Sequence, residues 1–254
     1  MNETALRWLR HAIGLIGLVV IWEIGGRRVG DALLAPPSMV LPDFIAMFED
    51  PALLATVAGS LRQMVAGYAL ALLAGVPVGI AMGRLRLLEV VLYPWLSMLI
   101  VTSIASLIPL FILAVGTGFQ FRLLVVFVSA VFYVAMIAYE GARDVERRWL
   151  DVGRSFSATP LQRFRLIIVP ALFPHLLTAA RIGLGQALRG MVIAELFVII
   201  GIGGLIHNAG QELSTARNFA LLVLLMTIAL VANELLRWAA SRLAPWYEAS
   251  RKVS

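Results

Sequence analysis

Long apolar runs separated by short polar breaks fill the chain from residue 10 to residue 240. A helix needs about 20 apolar residues to cross the hydrocarbon core of a bilayer. Runs of that order predict six transmembrane helices, over 10–26, 61–82, 88–115, 121–141, 172–200 and 218–240. The first run is the shortest, and Trp8 and Trp22 stand near its ends, where interfacial anchors belong. With Arg7 and Arg10 ahead of it, this run also has the form of a signal peptide. No small-x-small cleavage pattern follows it directly and many apolar segments come later, so a retained span is preferred. Between the first two runs, Ala35-Pro36-Pro37-Ser38 predicts an extended or turn stretch and 39–48 a short interfacial helix.

Inside the second run Gly67, Ala71, Gly75, Gly79 and Gly83 recur every four positions. They share one helical face and permit close backbone approach. Two partners fit that face, another helix of the same subunit or a second subunit. Pro77 is tolerated in a membrane helix.

The polar interruption at 147–170, RRWLDVGRSFSATPLQRFRLIIVP, holds five arginines. Val145, Trp149, Val152 and Phe156, at spacings of 4, 3 and 4, predict one apolar stripe on a short helix. Asp144, Arg147, Arg148, Asp151, Arg154 and Ser155 cover its other sides. A second helix is signalled by Thr159 as N-cap, Pro160 at the first position and Gln162 completing a capping box. Pro170 and Pro174 mark the passage into the fifth span. The pattern fits both a helix lying on anionic lipid and a docking surface for a partner.

Only 14% of residues are charged, against about a quarter in soluble domains, which makes a membrane protein the default class. The net charge of +6 reflects a positive-inside bias rather than affinity for nucleic acid. With the spans above, fourteen of the 21 basic residues fall on the side of the N-terminus and four on the other, so both termini are expected in the cytoplasm. The absence of cysteine excludes disulfides, thiol catalysis and thiolate metal sites. Three scattered histidines make no metal site. No phosphate-binding loop is present and the one lysine is Lys252, so the chain is no ATPase, and no paired acidic constellation suggests another enzyme. A secondary transporter or channel is the alternative, but the two halves of the chain show no inverted repeat.

In the fifth run Arg181, Gly185 and Arg189 fall at i, i+4 and i+8 on one face. A central arginine costs about 2.5–3.5 kcal/mol on insertion scales. It needs an acidic partner, such as Glu23 or Glu140, or a wet pathway. Glu195 lies on another face from Arg189, about 240° round and about 9 Å along.

Residues 151–170 resemble the cytoplasmic loop motif of ABC importer permeases: Glu-Ala-Ala, three residues, Gly, nine residues, Ile-x-Leu-Pro. Asp151-Val152-Gly153 stands for the triplet, Ser157 for the glycine and Ile167-Ile168-Val169-Pro170 for the end. Nearly the whole chain resembles the nitrate/sulfonate/taurine group of these permeases. The resemblance runs through Leu34 to Ser38, Gly67 to Gly83 with Glu89, Gly116-Thr117-Gly118, Arg181 to Gly185 with Ala194-Glu195, Gly201-Ile202-Gly203 and Leu243 to Trp246. Where the group has an Arg-Pro-x-Pro-Pro cluster, this chain reads Ile100 to Ile104, and only Pro94 and Pro109 remain.

The resemblance implies an all-α membrane protein of type I importer architecture, a single permease domain over 1–254 in the bacterial inner membrane. It implies a coupling loop at 143–170 docked on cytoplasmic ABC ATPase subunits through Trp149, Asp151, Val152, Gly153, Phe156, Ser157 and Pro170. It implies a translocation pathway touched by Arg181, Gly185, Arg189 and Glu195, a second permease subunit forming a homodimer, and an extracytoplasmic solute-binding protein. The implied solute is a small anion of the sulfonate, nitrate or taurine kind, and no cofactor is implied.

Overall fold

The computed structural model describes residues 3–30, 33–145 and 147–243. In chain order these form α1 (Glu3–Val29), α2 (Pro37–Ala46), α3 (Pro51–Arg84), α4 (Arg86–Val101), α5 (Ile104–Val115), α6 (Phe119–Asp144), α7 (Arg147–Ser155) and α8 (Pro160–Arg163). A π-helical turn (Phe164–Ile168) then leads into α9 (Val169–Val198), followed by α10 (Gly201–Gln211) and α11 (Thr215–Leu243). No strand occurs among the described residues. The side chains of Trp8 and Arg10, and the segment from Ala244 to Trp246, lie outside the described part.

Among the described residues four helical stretches are long and apolar enough to cross a membrane: Pro51–Arg84, Phe119–Asp144, Pro160–Val198 and Thr215–Arg242. α1, which contains the expected first span, is 27 residues long and is not one of these four. The expected span over 88–115 is two helices, α4 and α5, with an angle of 104° between them. The break falls at Thr102 and Ser103, whose backbones are extended (ψ 130° and 120°). The Thr102 hydroxyl donates to the Met98 carbonyl at 2.9 Å, a local bond by which Thr and Ser compete with helix continuation.

The chain divides into two compact units, residues 1–59 with 199–228 and residues 60–198 with 229–254. In the first unit the Leu34–Ser38 segment folds back on α1. The Trp22 indole N–H donates to the Ala35 carbonyl at 3.1 Å. Glu23 accepts from the Ser38 amide at 3.1 Å and hydroxyl at 2.8 Å, satisfying a donor in the first turn of α2, and it pairs with Arg27 at 2.6 Å. Gly26 permits the approach: a Cβ there would lie 2.9 Å from the Leu34 carbonyl oxygen and from Pro36 backbone atoms.

The second unit is built on α3, α6 and α9. The small-residue face of α3 is internal. A Cβ on Gly67 would meet Val126 at 2.8 Å, one on Gly75 would meet Val134 at 2.9 Å, and one on Gly83 would meet Ala142 at 2.6 Å. The contacts advance together along both helices, so α3 and α6 run parallel. Two parallel helices of spanning length require the chain between them to return across the same thickness, and α4 with α5 makes that return. Its register confirms the direction: Glu89 meets Tyr139, the Tyr133 hydroxyl reaches the Ile100 carbonyl at 3.4 Å, and Ile108 packs with Phe121 and Val125. α9 then runs antiparallel to α6, with Gly141 against His175, Gly183 against Val134 and Gly190 against Ser129. The Tyr68 hydroxyl donates to the Ala180 carbonyl at 2.7 Å and ties α3 to α9.

This alternation gathers Arg84, Arg86 and Arg143 at the end of the unit from which the 145–168 loop departs.

Candidate functional site

The loop between α6 and α9 is a helix, a tight reversal and a second helix. α7 ends in a Schellman motif. The Ala158 N–H reaches the Gly153 carbonyl at 3.0 Å and the Ser157 N–H reaches the Arg154 carbonyl at 2.9 Å. Ser157, where the resembling motif has glycine, takes the left-handed conformation at φ 54°. The reversal is thus kept without glycine, at about the 1–2 kcal/mol that an L-residue pays there. Ser157→Gly is therefore expected to stabilise the loop by about 1 kcal/mol. Slower amide exchange across 153–158 with unchanged spectra elsewhere is the check.

The second helix begins as its sequence predicts. The Gln162 N–H donates to the Thr159 hydroxyl at 3.3 Å, and the Thr159 N–H donates to the Gln162 side chain at 2.8 Å. From Pro160 the chain stays helical to Val198. The π turn ends two residues before Pro170, which lacks an N–H and so removes a rung of the helical ladder. Gly153 is buried where the two loop helices meet, and a Cβ there would lie 2.7 Å from Ile167 and 3.1 Å from Arg163.

Three of the four stripe residues face away from the chain. Trp149 is 52% exposed, Val152 48% and Phe156 82%. Val145, expected as the fourth, lies before α7 with ψ 110° and is buried against Ala142 and Leu172. The stripe therefore runs only from Trp149 to Phe156. Asp151 pairs with Arg154 at 2.8 Å, and the Arg148 guanidinium lies 5.3 Å from the Trp149 ring. Both partners of the ion pair are well exposed, so it adds little to stability.

On α9, Arg181 and Gly185 are half-buried and Arg189 is exposed. A Cβ on Gly185 would meet nothing within 4 Å. Among the described residues neither arginine has a hydrogen-bond or ion-pair partner, and Glu23 is occupied by Arg27 and Ser38. Glu195 is fully buried. Among the described residues no group of three or more His, Asp or Glu is placed to hold a metal ion.

Sequence reasoning missed one polar cluster. The Tyr139 hydroxyl donates to Glu89 Oε1 at 2.8 Å and accepts from Arg143 Nη1 at 2.8 Å. Arg143 and Arg86 also pair with Glu89, at 3.3 and 3.2 Å. The i, i+3 pair Arg86–Glu89 and the i, i+4 pair Tyr139–Arg143 are visible in the sequence, but nothing local joins them.

Among the described residues the fold has four to five helical stretches apolar enough to cross a membrane, with an amphipathic loop between two of them. Residues 75–248 match the family described as binding-protein-dependent transport system inner membrane component, and the chain belongs to it. It is 28% identical to a probable ABC transporter permease protein of Brucella abortus, over 98% of both chains. It is 29% identical to the taurine transport system permease protein of Escherichia coli, over 91% of this chain and 86% of that one. Identity to the bicarbonate transport system permease protein of Synechocystis is 26%, over 78% of this chain and 75% of that one.

Proposed function

We propose that this chain is the translocating subunit of an ATP-driven importer for a small oxyanion or sulfonate, working as a pair of identical subunits. ATPase subunits supply the energy, and a solute-binding protein delivers the solute from the other side of the inner membrane. The observation that carries this reading is α7. It presents Trp149, Val152 and Phe156 uncovered, at the end of the second unit where the arginines gather. By the positive-inside rule that end and both termini face the cytoplasm. The single helical run from Pro160 to Val198 gives the loop a direct mechanical path into the membrane.

The solute class rests on a second observation, the arginine face of α9. Arg189 is exposed and has no partner among the described residues, which suits a wet passage better than a structural ion pair. Two such residues from a pair of subunits lower the barrier for an anion without binding it tightly. Taurine and bicarbonate, named for two of the relatives, both carry anionic oxygens. In vesicles containing the whole transporter, Arg189→Gln is expected to assemble and keep basal ATP hydrolysis. Its uptake of radiolabelled taurine or bicarbonate should fall about tenfold or more, as about 1.4 kcal/mol on the barrier requires. Unimpaired uptake in that variant, or a substrate that proves to be a cation, defeats the pathway assignment.

A further inference from the structure

α4 is held differently from the helices around it. Its N-cap residue Leu85 is extended (φ −115°, ψ 104°), and Thr102 and Ser103 are extended at its other end. Leu96 is its one buried residue. It packs on α6 through an apolar patch of Leu88, Leu92 and Leu96 with Ala135 and Tyr139. The polar part of that contact is Glu89, held by Tyr139 and Arg143 from one turn of α6. The Tyr139 ring is buried at 3% exposure, while the Arg143 side chain that bonds its hydroxyl is 63% exposed, so the cluster sits at the rim of the contact.

The body that holds α4 is stiff. α6 and α9 approach at glycines, Gly141 on His175 and Gly190 on Ser129, and Val145 packs with Ala142 and Leu172 where the loop begins. A displacement of α7 therefore carries α6 and α9 as one piece. α4, hinged at both ends, moves with that piece only as far as its attachment holds.

We propose that Glu89, Tyr139 and Arg143 form a clasp through which motion of the 147–168 loop is passed to α4. Tyr139 and Arg143 are then positioning residues for the transport cycle. This rests on the loop being the element that ATPase subunits move. α5 is packed on the same helix through Phe121 and Val125, so the clasp at the far end of α4 is what keeps α4 in step with α6 beyond the 104° break.

The absence of cysteine allows a direct test. Val91→Cys on α4 and Glu140→Cys on α6, both at exposed positions, carry spin labels in the full transporter with one labelled copy per complex. Their separation is measured without nucleotide and after trapping with ATP and vanadate. The clasp predicts one short distance in both states. Tyr139→Phe, which keeps the buried ring, and Arg143→Ala should each raise a longer-distance population roughly tenfold on trapping, the factor carried by one charge-assisted hydrogen bond. Arg143→Lys, which keeps the charge, should restore the single distance; a merely structural role would show neither nucleotide dependence nor this rescue. A wild-type distance that changes on trapping, or variants that keep one distance in both states, overturns the clasp. Failure of the ATPase subunits to bind the unaltered chain instead overturns the reading of the loop. The label pair in the permease alone then still reports whether Tyr139→Phe releases α4, and no release counts against the clasp.

Discussion

Gly79→Val should leave little folded permease. A Cβ at position 79 would run into the Ala135 carbonyl oxygen and would lie 2.8 Å from the Ala138 Cβ and 2.9 Å from the Tyr139 amide nitrogen. Two of the three obstacles are backbone atoms, which cannot swing aside as a flexible side chain can. α3 must therefore move off α6, and the adjoining contacts at Gly75 and Gly83 loosen with it. Overpacking at a yielding site costs about 1–3 kcal/mol, and a separation of two helices lies at or above the top of that range. Against a total stability of about 5–15 kcal/mol that is a large fraction. Valine is as apolar as the membrane core requires, so insertion is unaffected and the loss reports packing alone. Gly185→Ala is the control, since its added carbon meets nothing within 4 Å. Thermal unfolding in detergent should show a marked drop and poor yield for Gly79→Val, with Gly185→Ala close to wild type. A wild-type melting curve for Gly79→Val would show that the α3–α6 contact is not what holds this unit together.

The second large effect belongs to the exposed face of α7. Trp149→Ala combined with Asp151→Arg should release the ATPase subunits, or leave them bound with ATP hydrolysis no longer linked to uptake. The free chain should hardly notice. Trp149 is about half-exposed, and the Asp151–Arg154 pair is exposed on both sides. Such a surface pair contributes about 0–1 kcal/mol to folding. In an interface, truncating a buried tryptophan commonly costs about 2 kcal/mol or more, and reversing a charge beside it adds repulsion. Together these imply a loss of affinity of at least about thirtyfold. Co-purification of the ATPase with the double variant is the measurement, with melting of the permease alone as the folding control. A helix lying on lipid predicts full assembly and full coupling instead. The orientation is read in parallel: with single cysteines at 118 and 154, an impermeant thiol reagent should label the first from outside and not the second. Labelling of 154 from outside ends the cytoplasmic assignment of the loop.

The chain's own sequence determined whatever depends on near neighbours. The length of the apolar runs identified helices fit to cross a membrane, because hydrocarbon thickness sets that length without reference to other parts of the protein. The box at Thr159 and Gln162 was legible for the same reason, since both of its hydrogen bonds close within three residues. Tertiary structure decided the rest. The glycine face of α3 had the same local signature for either partner, and only packing assigned it to α6 of the same subunit. Val145 fitted the stripe by spacing, but burial against Leu172 removed it. The run over 88–115 had the length of one span, and it bends where Thr102 and Ser103 take extended backbone and the Thr102 hydroxyl bonds locally. Glu89 and Tyr139 are fifty positions apart and meet through the antiparallel register of α4 on α6. Spacing within a helix fixes which residues share a face. What that face meets depends on where every other helix lies, and no stretch of sequence a few residues long contains that information.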